Sequence, residues 1–222
     1  MKSNKLITSI ISIFFMTFYF VTAQNINPEV IDIDSRLELF TDHYLIDKLD
    51  NASLKLHEPV DQGIVMKFDN PWEGRFSGYC TVIKDDNIFR LYYRGIPTAG
   101  KDGRTGEYTC YAESLDGIHW SKPNVGIFEI NGSLNNNVVL AEAVPVTHNF
   151  SPFLDTKKGI DKKYKYKALG GTEKSGLIAY TSSDGINWHT LQKEPVIRGR
   201  KSDFDSQNVS FWSENEQLYI CY

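Results

Sequence analysis

The chain has 222 residues, of which 41% are hydrophobic and 13% aromatic, so it contains enough apolar mass for a sizeable core in one or two domains. Its formal net charge is −4 and its pI is about 5.7, and no run of Lys and Arg exceeds two residues. Nucleic acids and anionic membrane surfaces both require clustered positive charge, so this composition argues against either as a partner.

Residues 1–23 are predicted to be a signal peptide. Two lysines precede an apolar run from Leu6 to Val21, and the letters VTA at 21–23 place small residues before Gln24, where a signal peptidase cuts. A membrane anchor is the alternative, but the run is shorter than the roughly 20 residues that a spanning helix needs. The mature protein is therefore expected to begin near Gln24, to be secreted or periplasmic, and to have no membrane contact after cleavage.

The remainder of the chain has the pattern of an all-β protein. Residues 24–64 contain two short apolar clusters and predict a lead-in of strands and loops rather than a long helix. From Tyr79 onward, short aromatic and β-branched runs alternate with Gly, Asn and Asp. No window places its apolar residues at the 3.6-residue period of a helix.

One short motif occurs twice. The letters SLDGIHW at 114–120 return as SSDGINW at 182–188. Asp-Gly favours tight hairpins, because Gly accepts a positive φ and Asp can bond the backbone that follows it. Trp120 and Trp188, three residues after each glycine, are expected to fold over the hairpin and fill the space between neighbouring sheets. We interpret the motif as a structural staple rather than a catalytic one.

Larger blocks repeat around this motif. Each begins with an apolar strand, a polar turn and a Tyr-rich strand; in the first two a third strand follows, and then a fourth near GIFEI or EPVI. Four antiparallel strands repeating every ~60–70 residues are typical of β-propeller blades. The predicted propeller covers 65–222, with blade 1 at about 76–130, blade 2 at about 148–197 and an incomplete blade 3 from about 205.

The cysteine count adds little to this prediction. Cys80, Cys110 and Cys221 each lie in an apolar, strand-like run. The odd number and the apolar surroundings favour buried free thiols, while a bridge between Cys80 and Cys110 stays open. No Cys/His spacing indicates zinc, and no metal or other cofactor is expected.

In its blocks the chain resembles the five-bladed β-propeller glycoside hydrolases of families 43 and 32. The resemblance covers about residues 65–222 and rests on the two D-G-x-x-W hairpins, on IFRLYYRG at 88–95, on THNFSPF at 147–153 and on FDSQN at 204–208. It implies a secreted glycoside hydrolase that acts on a polysaccharide or oligosaccharide. Sialidases are a competing resemblance, but their turn motif has one more residue between Asp and Gly than either copy here.

The resemblance also implies a site on the propeller axis, where inner strands of successive blades bring carboxylates together. Glycosidic cleavage needs one carboxylic acid to protonate the leaving oxygen and a second carboxylate to attack or to activate water. Carried over by position, Asp205 is the expected general acid and Glu73 or Asp69 its expected partner, whereas Ser151 stands where another acidic residue is expected. The expected carbohydrate-binding residues are His148, Asn149, Gln207, Asn208, Trp72 and Tyr79.

Two other interpretations stay open. A non-catalytic, carbohydrate-binding propeller fits the serine at 151. An inactive fragment fits a chain that ends two strands into its third blade, since an open end leaves unpaired strand edges. Five blades at this repeat need roughly 300 residues, so a fragment or a truncated reading frame is expected.

Overall fold

A computed structural model describes residues 30–98 and 103–222, so the predicted signal peptide lies outside the described residues. The chain divides into two units, with the boundary between Glu58 and Pro59. The strands expected in the 24–64 lead-in do not form among residues 30–64, which are turns and extended segments. Leu37 and Leu39 are exposed there, so little apolar burial is available to offset the entropy lost on ordering a strand.

The second unit begins with an antiparallel sheet. Its strands are β1 (Gly78–Asp85), β2 (Ile88–Gly95), β3 (Tyr108–Ser114), β4 (Trp120–Ser121) and β5 (Val138–Leu140). β4 pairs with the end of β3 and β5 with its start, so the outer edge of the sheet is in two pieces.

The strand expected at GIFEI, residues 126–130, does not form. Instead Ile130 closes a tight turn with Ser133, through hydrogen bonds in both directions. The side chain of Asn136 donates to the carbonyls of Phe128 and Ser133 at 2.7 and 3.1 Å. These carbonyls are therefore satisfied within the loop instead of by a neighbouring strand.

The second sheet repeats the first. Its strands are β6 (Ser151–Leu154), β7 (Tyr166–Thr172), β8 (Gly176–Ser182) and β9 (His189–Thr190), and its outer edge continues in a single bridge between Leu177 and Ile197. The EPVI segment thus contributes through the main chain of Val196 and Ile197, which bonds that of Leu177. A hairpin of β10 (Ser210–Ser213) and β11 (Leu218–Cys221) follows.

A five-stranded and a four-stranded antiparallel sheet followed by a hairpin are part of a β-propeller, with β1, β6 and β10 as the inner strands. Among the described residues the sheets do not close into a ring. The only helical elements in the described ranges are two 3₁₀ turns, Val146–His148 and Lys162–Tyr164. No helix within these ranges has the length and apolar character to cross a membrane.

Both copies of the D-G-x-x-W motif make the same hydrogen bonds. In each copy the serine hydroxyl accepts the glycine N–H at 2.9 Å, and one aspartate oxygen accepts the next two N–H groups at 2.8 Å. The indole N–H donates back to the glycine carbonyl, at 3.0 Å for Trp120 and 3.1 Å for Trp188. Trp188 is buried between the first two sheets, whereas Trp120 is half-buried on the far face of the first sheet.

An aspartate at the end of each complete sheet's inner strand joins that sheet to the next. Asp85 accepts a hydrogen bond from the hydroxyl of Tyr166, and Asp155 accepts one from the hydroxyl of Tyr219 at 2.8 Å. Burial raises the pKa of Asp85, but the hydrogen bonds from Tyr166 and Lys165 and nearby positive charge outweigh it, so the pKa lies below its ordinary value. We call these two contacts the Asp–Tyr clasps.

The three thiols are free, and only part of their predicted burial is observed. Cys110 is fully buried and Cys221 half-buried, but Cys80 is exposed. Cys80 lies where the pairing of β1 and β2 shifts register between Gly78 and Thr81. This irregularity explains why a residue in an apolar run faces solvent.

Candidate functional site

The segments that begin the three inner strands meet at one edge of the sheets. The hydroxyl of Tyr79 lies 3.4 Å from the carbonyl oxygen of Asp205, and its ring contacts the ring of His148 edge-on, with centroids 5.5 Å apart. Gln207 donates its amide N–H to the carbonyl of Tyr79 at 2.9 Å. Four residues that the sequence indicated are thus brought together from three different sheets.

A groove of about 380 Å³ opens beside this junction. It combines acidic, hydroxyl-bearing and aromatic side chains with one imidazole. Its lining residues are His148, Thr172, Glu173, Ser202, Asp203, Phe204 and Asp205.

Three carboxylates of this groove differ in how they are bonded. Asp203 accepts the N–H of Arg200 at 2.6 Å, and Glu173 accepts the N–H of Ser202 at 2.9 Å. Asp205 is exposed, and no donor among the described residues bonds its carboxylate. In residues 30–98 and 103–222 no cluster of His, Cys, Asp and Glu side chains is arranged to hold a metal ion.

His148 is almost completely buried behind the groove and is held by charged neighbours. Its Nδ1 lies 3.0 Å from Nη1 of Arg94 and 3.4 Å from Oε1 of Glu107. A guanidinium can only donate and a carboxylate can only accept, so the two contacts require opposite roles of Nδ1. The buried carboxylate of Glu107 also accepts the N–H of Gly103, at 3.2 Å to each oxygen.

The backbone around this junction is strained. Tyr79 has a φ of 50° and Phe204 a φ of 63°, values that bulky residues rarely adopt. The guanidinium of Arg94 lies over the Tyr79 ring, 4.5 Å from its centroid. Such strain persists only where surrounding contacts impose it, and it is concentrated at functional sites.

Asn149 and Asn208 hold the framework of the site. The side chain of Asn149 is fully buried; it donates to the carbonyls of Gly171, Phe204 and Ser206 at 2.8, 3.3 and 3.0 Å, and it accepts the N–H of Gly171 at 2.8 Å. Asn208 is buried and donates to the carbonyl of Ser206 at 3.0 Å. Both amides therefore fix the chain on either side of Asp205 instead of lining the groove.

The structure does not bring Glu73, Asp69 or Trp72 to this groove. The carboxylate of Glu73 is buried and accepts hydrogen bonds from Lys122 at 2.7 Å and from Tyr93 at 2.5 Å. Asp69 is exposed and lies 3.3 Å from the same Lys122 ammonium. Trp72 packs against the core cluster on the far face of the first sheet. The chain before β1 thus runs along that face, and its acidic side chains meet Lys122 there.

Sequence reasoning missed Arg94 and Glu107, which lie beside the groove. Arg94 is in the Tyr-rich β2, and Glu107 directly precedes β3, so both lie at the ends of strands on the edge where the groove opens. That position is the one signal that could have indicated them. Ser151, found where an acidic residue was expected, is buried at the first position of β6.

No family model matches the sequence, and no curated protein matches it. Among solved structures, the chain is similar to a glycosyl hydrolase from Bacteroides ovatus, with 16% identity, a TM-score of 0.45, and coverage of 71% of this chain and 45% of that one. It is also similar to a fructofuranosidase from Schwanniomyces occidentalis, in complex with fructosylnystose, with 19% identity, a TM-score of 0.43, and coverage of 63% and 27%. The chain thus spans less than half the length of either structure.

Proposed function

We propose that the protein is a secreted glycoside hydrolase that acts on a polysaccharide or oligosaccharide in the groove beside Asp205. The observation that supports this proposal is the convergence of Asp205, Glu173 and Asp203 in one open groove, next to the buried His148. Hydrolysis of a glycosidic bond needs two carboxyl groups with different tasks, and a groove open to solvent admits a sugar chain.

In this proposal Asp205 protonates the leaving oxygen. The exposed Asp205 carboxylate is not bonded by donors among the described residues, so it is available to a substrate. Glu173 is the better partner than Glu73, because Glu73 is occupied by Lys122 and Tyr93 away from the groove. Glu173 would act as the nucleophile, or as the base that activates water.

His148 is assigned a binding role. The contact of its Nδ1 with the Arg94 guanidinium at 3.0 Å holds the imidazole against the groove that it lines. Tyr79 and Phe204 supply aromatic surface at the same junction, on which a sugar ring can stack.

The test is hydrolysis of two substrates by the full chain. Asp205→Asn is expected to lower kcat by about 10²–10⁴-fold on an oligosaccharide, whose leaving group needs a proton. An activated aryl glycoside leaves without protonation and should lose much less. Glu216→Gln, which neutralises an exposed carboxylate in the β10–β11 turn, serves as the matched control and should match the wild type. Equal rates for Asp205→Asn and the wild type on both substrates would refute the assignment.

A carbohydrate-binding propeller without catalysis is the second candidate. It is favoured by the engagement of Glu73 with Lys122, which removes one predicted carboxylate, and by the buried serine at 151. Calorimetric titration with oligosaccharides separates the two. Saturable heat without any hydrolysis product would support binding alone, and a product would support the enzyme.

A further inference from the structure

A second groove, of about 290 Å³, lies between the second sheet and the β10–β11 hairpin. Its walls are almost entirely apolar and include Leu169, Ala179, Ile197 and Ile220. Ser210 also lines it, and its buried hydroxyl has no hydrogen-bond partner among the described residues. Because buried polar groups are nearly always bonded, this hydroxyl favours the groove as a binding site for a ligand that carries a hydrogen-bonding group.

The first interface between sheets shows what normally fills such a space. There Trp188 packs against Tyr92 of the first sheet and Tyr166 of the second, with ring centroids 5.9 and 6.5 Å apart. The D-G turn that carries Trp188 is fixed by the hydroxyl of Tyr92, which donates to the carbonyl of Gly185 at 2.9 Å. An indole on a D-G hairpin therefore seals the first interface.

The Asp–Tyr clasps show which residues of the second interface correspond to these. Tyr219 corresponds to Tyr166, because each donates its hydroxyl to the aspartate at the end of the preceding inner strand.

Leu169 corresponds to Tyr92 by the same comparison. Each lies two residues after a basic side chain, Lys167 or Arg90, that bonds the clasp aspartate of its own sheet. Leu169 and Tyr219 both line the groove. The groove is therefore flanked by the counterparts of the two residues that hold Trp188.

We propose that this groove binds the tryptophan of an S-x-D-G-x-x-W hairpin carried by a polypeptide segment other than the two copies in this sequence. Both copies here are already placed, with Trp188 in the first interface and Trp120 on the far face of the first sheet. The apolar walls bury the indole, and the main chain of the hairpin supplies a partner for the hydroxyl of Ser210. The inference does not depend on the proposed hydrolase activity.

The test uses the full chain and a fluorescent cyclic peptide that carries the residues 181–190, TSSDGINWHT. Fluorescence anisotropy is expected to show saturable binding. The same peptide with alanine at the tryptophan position should have a Kd at least about tenfold higher. Methyl resonances of Leu169 and Ala179 in the unmodified protein should shift on addition of the tryptophan peptide.

Variants locate the binding to the groove. Leu169→Trp and Ala179→Phe fill it from within, and each should abolish binding while near-ultraviolet circular dichroism confirms folding. Phe211 is exposed on the β10–β11 hairpin, so Phe211→Ala is the matched control and should bind the peptide like the wild type.

Three outcomes would overturn the proposal. They are the absence of saturable binding, equal binding of the alanine peptide, and methyl shifts that spare Leu169 and Ala179. Sedimentation equilibrium adds a fourth, because a dimer that the peptide does not dissociate would assign the groove to a second copy of this chain.

Discussion

The hydroxyl of Tyr92 donates a hydrogen bond at 2.9 Å to the main-chain carbonyl of Gly185, which lies in the D-G turn of the neighbouring sheet. A Cβ atom on Gly185 would lie 2.5 Å from that hydroxyl, whereas a Cβ on the equivalent Gly117 would meet nothing closer than the Phe89 ring at 4.0 Å. The two glycines share a φ of 77°. They therefore separate the cost of the backbone conformation from the cost of packing between sheets.

Gly117→Ala is expected to lower the free energy of unfolding by about 1–2 kcal/mol, the cost of a left-handed conformation for a residue with a Cβ. Gly185→Ala should lose a further ~1–3 kcal/mol, because its methyl group overpacks the contact with Tyr92. Urea denaturation of the two variants gives both values. Equal losses would show that the contact between Tyr92 and Gly185 does not restrict the turn.

Of the two tryptophans of the repeated motif, Trp188 should contribute more to the free energy of unfolding than Trp120. Trp188→Ala empties a buried site between two sheets and should cost about 3–5 kcal/mol. Trp120 is half-buried and makes the same local hydrogen bond, so Trp120→Ala should cost less. The measurement is again the urea midpoint, and a larger loss for Trp120→Ala would contradict the placement of Trp188 as the seal.

Substitution of Glu73 is expected to lower stability, whereas substitution of Asp205 is expected to lower activity and leave stability unchanged. Glu73→Gln removes the buried carboxylate that pairs with the half-buried Lys122 ammonium at 2.7 Å, leaving it only the exposed Asp69, and should cost about 1–3 kcal/mol. Asp205→Asn changes an exposed side chain and should alter stability by no more than about 0.5 kcal/mol. Thermal melts compare the two. A loss of several kcal/mol for Asp205→Asn would make it a structural residue.

The clasp at Asp85 predicts a pH dependence of stability. The ordinary pKa of an aspartic acid is about 3.9, and the folded chain holds the pKa of Asp85 below it. The contribution of this carboxylate to the free energy of unfolding is therefore fully present above the ordinary pKa. The contribution is lost as the pH falls through the folded-state pKa. Asp85→Asn should therefore be less stable at neutral pH and should lose less additional stability on acidification.

Urea titrations between about pH 2.5 and pH 7 measure this slope. Asp86→Asn, the neighbouring exposed turn residue, is the matched control and should follow the wild type. Superimposable profiles for Asp85→Asn and Asp86→Asn would argue against the clasp.

We propose that the mature protein begins at or near Gln24, since VTA at 21–23 offers the small residues that a signal peptidase requires. Mass spectrometry of the exported protein gives the first residue directly. An intact Met1 on a membrane-retained product would identify the segment as an anchor.

The fold could be predicted further from the sequence than the site could. The hydrogen bonds inside each D-G hairpin join residues of the same seven-residue motif, so the motif predicts the turn, whereas the contact of Tyr92 with Gly185 spans 93 positions. The fate of Glu73 depends on Lys122, 49 positions later, and the setting of His148 depends on Arg94, 54 positions earlier. Nothing local in the sequence indicates the clasps, because the tyrosine partners of Asp85 and Asp155 lie 81 and 64 positions away on the next sheet.

The Asp–Tyr clasps also have a mechanical consequence. Each clasp crosses one interface only, so the clasps couple a sheet to its immediate neighbours, and the contact of Gln207 with Tyr79 joins the β10–β11 hairpin to the first sheet. The free energy of such an array is approximated by a sum of unit and nearest-neighbour contributions, to which the contact of Gln207 with Tyr79 adds one coupling between the first sheet and the β10–β11 hairpin. Under a pulling force applied between β1 and β11, the sheets should detach one at a time, and each clasp should give its own rupture event.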